Sequence, residues 1–367
     1  MMRHIVICVV VCGSAASGAC AQAWFTGIGD LPGGNYGSGA AAVSGNGHVT
    51  VGGSTGPVGF VEPVRWTHSA GLSSLPVSGM WGEVSTAEGV NIDGSVVVGQ
   101  SSDQAFRWTK GSGMAGLGFL PGKTNSWAWG VSHDGNTVVG YSGLLLGVGR
   151  EAFRWTPSTG MVGLGDLPGG ETSSTAFAAS QNGDVVVGWS TTSVGSEPFR
   201  WKPSTGMVSL APGRGGQARD VTPDGTIIVG TLEYTFGRFA TMWTPGGMVS
   251  LGDLPGGDDD SGAVGVSADG TAVIGSSSTG PGVYEPFYWT ESLGMVKLKD
   301  HLIGLGVIGL EDWTLTAANG ISDDGLTIAG NGINPLGQFE GWVAHIPAPS
   351  SCMVLAIGGV VASRRRR

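Results

Sequence analysis

Seven times along this chain an Asn-Gly or Asp-Gly pair stands between two apolar, β-branched runs. The pairs are Asn46-Gly47, Asp93-Gly94, Asp134-Gly135, Asn182-Gly183, Asp224-Gly225, Asp269-Gly270 and Asp324-Gly325. Each is followed at one fixed distance by a further glycine: Gly52, Gly99, Gly140, Gly188, Gly230, Gly275 and Gly330. Such a pair between strand-like runs reads as the two-residue turn of a hairpin. Self-similarity with a period of about 45 residues belongs to stacked or radial architectures. Composition agrees: 69 glycines in 367 residues and only 13% charged residues suit short strands and tight turns, not long solvated helices. No Gly-X-Y period is present, which excludes collagen, and a hydrophobic content of 41% is too high for a disordered chain.

Each repeat carries four strand signals. The first strand, as in Ser126-Trp127-Ala128-Trp129-Gly130-Val131, holds a small residue in register at Ala40, Ala87, Ala128, Ala176, Ala218, Ala263 and Ala318, which implies crowding there. The second, as in Thr137-Val138-Val139, suits a strand buried on both faces. The third contains Trp66, Trp108, Trp155, Trp201, Trp243, Trp289 or Trp342, with Phe153 and Trp155 on one face and Arg154 turned toward a neighbouring surface. The fourth runs through Gly160-Met161-Val162-Gly163 and leads to Leu167-Pro168-Gly169-Gly170, a Pro-Gly turn. The last interval between tryptophans is the longest, and an insertion around Lys297 to Leu310 reads as one short helix.

Four antiparallel strands repeated seven times describe an all-β fold, a seven-bladed β-propeller of four-stranded antiparallel blades. A linear solenoid is the alternative, but no polar capping repeat stands at either end. The phase of the ends favours a ring: Trp24 to Leu31 reads as a fourth strand without its first three, and the seventh repeat stops after its third strand, Gln338 to Ile346. The propeller therefore spans residues 24–346 and is closed by its N-terminal strand.

The recurrent Gly-Asp-Leu-Pro-Gly-Gly, the Val-Ser-x-Asp-Gly turn and the Ala-Phe-Arg-Trp strand resemble the extracellular HAF repeats. The likeness covers residues 24–346 and implies architecture and address, not chemistry. The family's histidine before Ala-Phe is absent, with Gln104 and Glu151 in its place, and Glu197 and Glu285 precede Pro-Phe.

The two ends read as targeting segments. Residues 1–23 have the form of a signal peptide, with Arg3 and His4 before an apolar run and cleavage expected before Trp24; Cys20 offers a lipoprotein alternative. Residues 347–367 combine Pro347-Ala348-Pro349, an apolar stretch from Cys352 to Ala362 and Arg364, Arg365, Arg366 and Arg367. This tail resembles the PEP-CTERM sorting signal of bacteria, with Ala348 in place of the motif's glutamate. The resemblance implies transient membrane insertion as a transmembrane helix, an exosortase-type processing enzyme as partner and delivery to the cell surface or extracellular matrix. A plain C-terminal anchor is the alternative. Loss of both segments leaves a net charge of −15, which disfavours nucleic acid and anionic lipid, and removes all four cysteines.

Motifs for chemistry are sparse, and neither a catalytic residue nor a cofactor is expected. Gly52-Gly53-Ser54-Thr55-Gly56 matches the serine-hydrolase pattern but ends a repeat strand. Leu120-Pro121-Gly122-Lys123-Thr124 lacks the first glycine of a phosphate loop. No histidines stand at metal-ligand spacing; Asp258, Asp259 and Asp260 are weak calcium candidates without the spacing of a dedicated loop. Trp127 is expected to pack between blades. The next but one position of the first strand varies most, holding Ala41, Glu88, Trp129, Phe177, Arg219, Val264 and Asn319, as a channel- or pocket-facing position would. Trp129, Glu88, Arg219 and Phe177 are therefore the candidate ligand-binding residues, on the rim away from the Asp-Gly turns.

These readings point to a secreted, non-enzymatic propeller of the cell surface or matrix that contacts polysaccharide (exopolysaccharide) or another surface protein. A lectin-like propeller or a carbohydrate-active enzyme are the alternatives. The latter needs a pair of carboxylates at the channel mouth.

Overall fold

A serine, threonine or asparagine side chain and a glycine define the turn that builds each blade. The protein is described here by a computed structural model covering residues 22–76, 85–144 and 149–348. In blade 3 the strands Asn125–Val131, Val138–Gly143, Glu151–Thr156 and Gly160–Gly163 pair antiparallel in chain order. The first two are joined by residues 132–137, and Ser132 and Thr137 still pair, which leaves a turn of four residues, not two. The Gly135 amide donates to the Ser132 carbonyl (2.9 Å), the Ser132 amide to the Thr137 carbonyl (2.9 Å), and the Thr137 amide to Ser132 Oγ (2.9 Å). Only the glycine has positive φ, 73° at Gly135, so the pair is not the two-residue mirror-image turn expected from Asp-Gly, which needs positive φ at both positions. The aspartate instead accepts from Ser132 Oγ (2.6 Å) and the Asn136 amide (2.9 Å).

The glycine five residues after each turn has a steric cause. A Cβ built at Gly140 would overlap the Trp127 carbonyl oxygen, and one at Gly99 that of Thr86, so the second strand can lie this close to the first only without a side chain.

Seven four-stranded sheets result, six in chain order and one composite. In the seventh, Trp24–Gly27 pairs with Phe339–His345, with Trp24 opposite His345 and Gly27 opposite Trp342, and the Ile28 amide adds a bond to the Gly341 carbonyl (2.9 Å). The ring is thus closed by the N-terminal strand, as the phase of the repeats requires, and the solenoid alternative is set aside. The insertion forms a seven-residue helix, Leu298–Gly304, with Leu298 and Leu302 fully buried.

The core is divided among the seams. Seven clusters of buried side chains each join two neighbouring blades; Val96, Val98 and Ala105 of blade 2, for example, meet Ala128 and Phe153 of blade 3. Polar clips cross the same seams. Ser126 Oγ accepts the Ala105 amide (2.9 Å) and donates to the Gly118 carbonyl (2.7 Å), and Ser174 and Ser261 do the same one and three blades on. The third-strand arginines reach the next turn: Arg107 Nε and Nη2 donate to the Gly135 carbonyl (3.1 and 3.0 Å), and Arg154 Nε to that of Gly183 (3.0 Å).

Residues 23–346 form one compact unit. It begins one residue before the expected boundary, and Ala23 is buried in the cluster between blades 6 and 7. The signal segment through residue 21, with Cys20, and the tail from Pro349 to Arg367 lie outside the described residues; Pro347 follows the last strand and is half-buried. No helix among the described residues is long and apolar enough to cross a membrane.

Candidate functional site

A β-bulge in the inner strand of every blade aims one side chain at the axis. The pairing of first with second strand slips by one residue at Ala41, Glu88, Trp129, Phe177, Arg219, Val264 and Asn319. A bulged residue is left out of the ladder, and its side chain is re-aimed by the local bend. All seven line one cavity of about 690 Å³ on the propeller axis. The position that varies most among the repeats is therefore the one that strand pairing constrains least.

The four candidate residues meet along the wall of this cavity. The Trp129 ring packs edge-on to Phe177 (6.0 Å between centroids), and the Arg219 guanidinium lies 4.2 Å from the centre of the Phe177 ring. Trp127, expected between blades, stacks on Trp129 (5.2 Å, interplanar angle 17°) and does not line the cavity. Blades 3, 4 and 5 thus present a continuous aromatic and cationic surface. Burial holds the Arg219 pKa below its ordinary value, against the pull of the Asp220 carboxylate, and its N–H groups bond no acceptor among the described residues. Burial also raises the Glu88 carboxyl pKa, opposed by the Thr86 hydroxyl that donates to it (2.7 Å).

The opposite end of the channel is built by the residue before each Asp or Asn of the turns. Backbone bonds link these residues from blade to blade: Ile92 to His133 (3.4 Å), Gln181 to Pro223 (2.8 Å), Ala268 to Asp323 (2.9 Å) and Asp323 to Gly45 (2.8 Å), each amide donating to the next blade's carbonyl, and the turn aspartate Asp134 donates likewise to Gln181 (3.2 Å). Pro223 of blade 5 has no N–H to give. At that seam the Asp220 carboxylate accepts the Val266 amide of blade 6 (3.0 Å) and its own neighbour's, Val221 (2.8 Å). The other six blades have glycine or alanine at this place: Ala42, Gly89, Gly130, Ala178, Gly265 and Gly320. Burial, only partly offset by these two amides and His133, pushes the Asp220 pKa up to about 6.

His133 and Asp323 occupy the same turn position in blades 3 and 7, as far apart as two blades of a seven-membered ring can be. His133 Nε2 nevertheless lies 2.9 Å from Asp323 Oδ1, so the pair crosses the channel. Burial pulls the His133 pKa down, but the bond to Asp323 and the charges of Asp220 and Asp134 outweigh it, and the net shift is upward. Neither residue stands out in the sequence. The signal available was that the second residue of Ser-x-Asp-Gly varies while its neighbours do not, so the turn face is not explained by backbone geometry alone.

The remaining motifs have structural roles. Asp260 is bound by Arg238 (Nε to Oδ1, 3.0 Å; Nη2 to Oδ2, 2.8 Å) and by the Tyr284 hydroxyl (2.6 Å), while Asp258 and Asp259 are exposed. Among the described residues no three His, Cys, Asp or Glu side chains converge in a metal-holding group. Ser54 is buried in a strand, donating to Asp30 Oδ1 (2.5 Å) and accepting the Leu31 amide (3.0 Å). Lys123 Nζ bonds the Gly149 carbonyl (2.9 Å).

Fold and channel define a seven-bladed β-propeller with an axial pocket. No family model and no curated protein matches the chain. Solved structures do: an oligogalacturonate lyase from Vibrio parahaemolyticus is 9% identical, over 89% of this chain and 98% of that one, with a TM-score of 0.56. A puromycin hydrolase is 14% identical, over 86% of this chain and 55% of that one, with a TM-score of 0.57. At such identities the likeness is one of fold alone.

Proposed function

We propose that this protein is a non-catalytic binding module of the bacterial cell surface or extracellular matrix that holds a glycan in its axial pocket. The observation that carries the reading is the convergence of seven bulge residues on one cavity, with Trp129, Phe177 and Arg219 side by side. An aromatic face beside a guanidinium with unbonded donors suits sugar rings, whose C–H faces stack on aromatics while hydroxyl and carboxylate oxygens take N–H donors. Aromatic side chains also stand exposed at the open end, Phe60 and Phe236 in the loops between second and third strands and Tyr234, Tyr284 and Phe339 at the strand ends beside such loops. The address rests on the terminal segments, with an exosortase-type enzyme as processing partner.

Glycan-array binding tests this. Trp129→Ala and Arg219→Ala are each expected to weaken binding by about tenfold or more, equivalent to at least ~1.4 kcal/mol, with an unchanged melting temperature. Failure of the unaltered protein to bind any glycan would remove the proposal. A carbohydrate-active enzyme is the second reading, favoured by two carboxyls with raised pKa on the same cavity, Glu88 and Asp220. Release of reducing ends from a bound glycan, abolished by Glu88→Gln, would establish it instead.

A further inference from the structure

We infer that the axial pocket is blind and takes the free end of a glycan chain, not its interior. This rests on the glycan reading above and adds to it the direction of approach. The cavity spans two unlike ends. At the level of the bulges its wall is made of side chains only half-buried, and beyond them the rim carries Phe60, Phe236 and Phe339 at 40%, 89% and 47% exposure. At the turn level the inter-blade backbone bonds draw the inner strands together, and the His133–Asp323 pair, donor to acceptor at 2.9 Å, bridges blades 3 and 7 across the axis. Ile92 and Pro223 line the cavity at this level, and the Asp220 carboxylate faces it from the seam of blades 5 and 6.

A polymer threaded through a propeller needs two openings. Here a chain that reaches Trp129 and Arg219 must enter and leave by one mouth, and a stiff sugar chain cannot double back within about 690 Å³. That volume lies in the range of pockets that enclose small ligands, roughly 300–1,000 Å³. A terminal segment of a few sugars fits both the volume and the single entrance. Its terminal hydroxyls would lie toward the polar floor, with the following units between the aromatic residues of the rim.

The test counts chain ends. The extracellular polysaccharide of the source organism is titrated calorimetrically with the purified full chain, before and after partial hydrolysis that shortens it about tenfold at constant sugar mass. End-on binding raises the amount of protein bound per gram about tenfold, in step with the new ends. Trp129→Ala should weaken binding about tenfold or more in both samples. An unchanged amount of protein per gram, with binding intact, overturns the end-on inference and leaves the glycan reading standing. Undiminished binding by Trp129→Ala places the glycan outside the channel and also overturns it. No binding to either sample overturns the glycan reading itself.

Discussion

Asp220 stands where every other blade has glycine or alanine, and the substitution is tolerated because two backbone amides meet its carboxylate. Its pKa near 6 and the raised pKa of His133 have the same consequence for stability. A carboxyl has an ordinary pKa of about 3.9, and a histidine one of about 6.5. Both folded values lie above these, so each contribution is fully present below the unfolded pKa and is lost as pH rises through the folded one. For Asp220 that loss falls between about pH 4 and 6, and for His133 above about 6.5. The double variant Asp220→Asn, His133→Gln lacks both effects. Melting temperatures from pH 8 down to pH 5 should show the unaltered protein gaining about 2–4 °C on the variant. A constant difference would mean that neither group titrates as the floor geometry requires. Trp129 and Arg219 were legible in the sequence because their position varies. His133, Asp220 and Asp323 were not, since a bond between residues 190 positions apart has no local pattern.

At the level of elements, the N-terminal strand contributes an edge and a share of the core. Phe25 packs edge-on to Trp313 (5.1 Å between centroids), and Ile28 is buried among Ala40, Trp66 and Val343. Deleting residues 24–34 exposes the edge of Phe339–His345 and these side chains. Each large apolar side chain is worth roughly 1.5–3 kcal/mol when buried, so the melting temperature should fall by on the order of 10 °C. An unchanged melting temperature would show that the ring does not depend on this closure. Strand order, closure and the short helix could all be read from the repeat. The serine clips could not: Ser126 and Ser174 look like ordinary polar residues until the preceding blade supplies the amide that each accepts.

For the whole molecule, the two ends of the propeller lie together on the turn side. Trp24 pairs with His345, and the Ile346 amide donates to the Leu326 carbonyl (2.7 Å), one residue beyond the last Asp-Gly turn. The mouth inferred for the pocket is on the other face, away from both ends of the propeller. Cell fractionation tests the sorting role of the tail. A chain ending at Pro349 should be released in folded form, whereas the full chain should be held in the membrane fraction before processing. Equal release of both would remove the case for a sorting signal.

The repeat by itself determined the seven blades, their four strands, the closure of the ring and the position that faces the axis, because each follows from spacing, alternation and turn chemistry within one repeat. The real form of the turn, the bulge that frees each axial side chain, the clips between blades and the barred floor of the channel were decided only in the folded molecule. The turn and the bulge lie within one repeat and rest on backbone pairing, which residue types alone do not display; the clips and the floor depend on groups from different repeats meeting across a seam or at the axis. No periodic pattern records the floor, since the residues that make it, His133, Asp220, Pro223 and Asp323, are the ones that break the repeat.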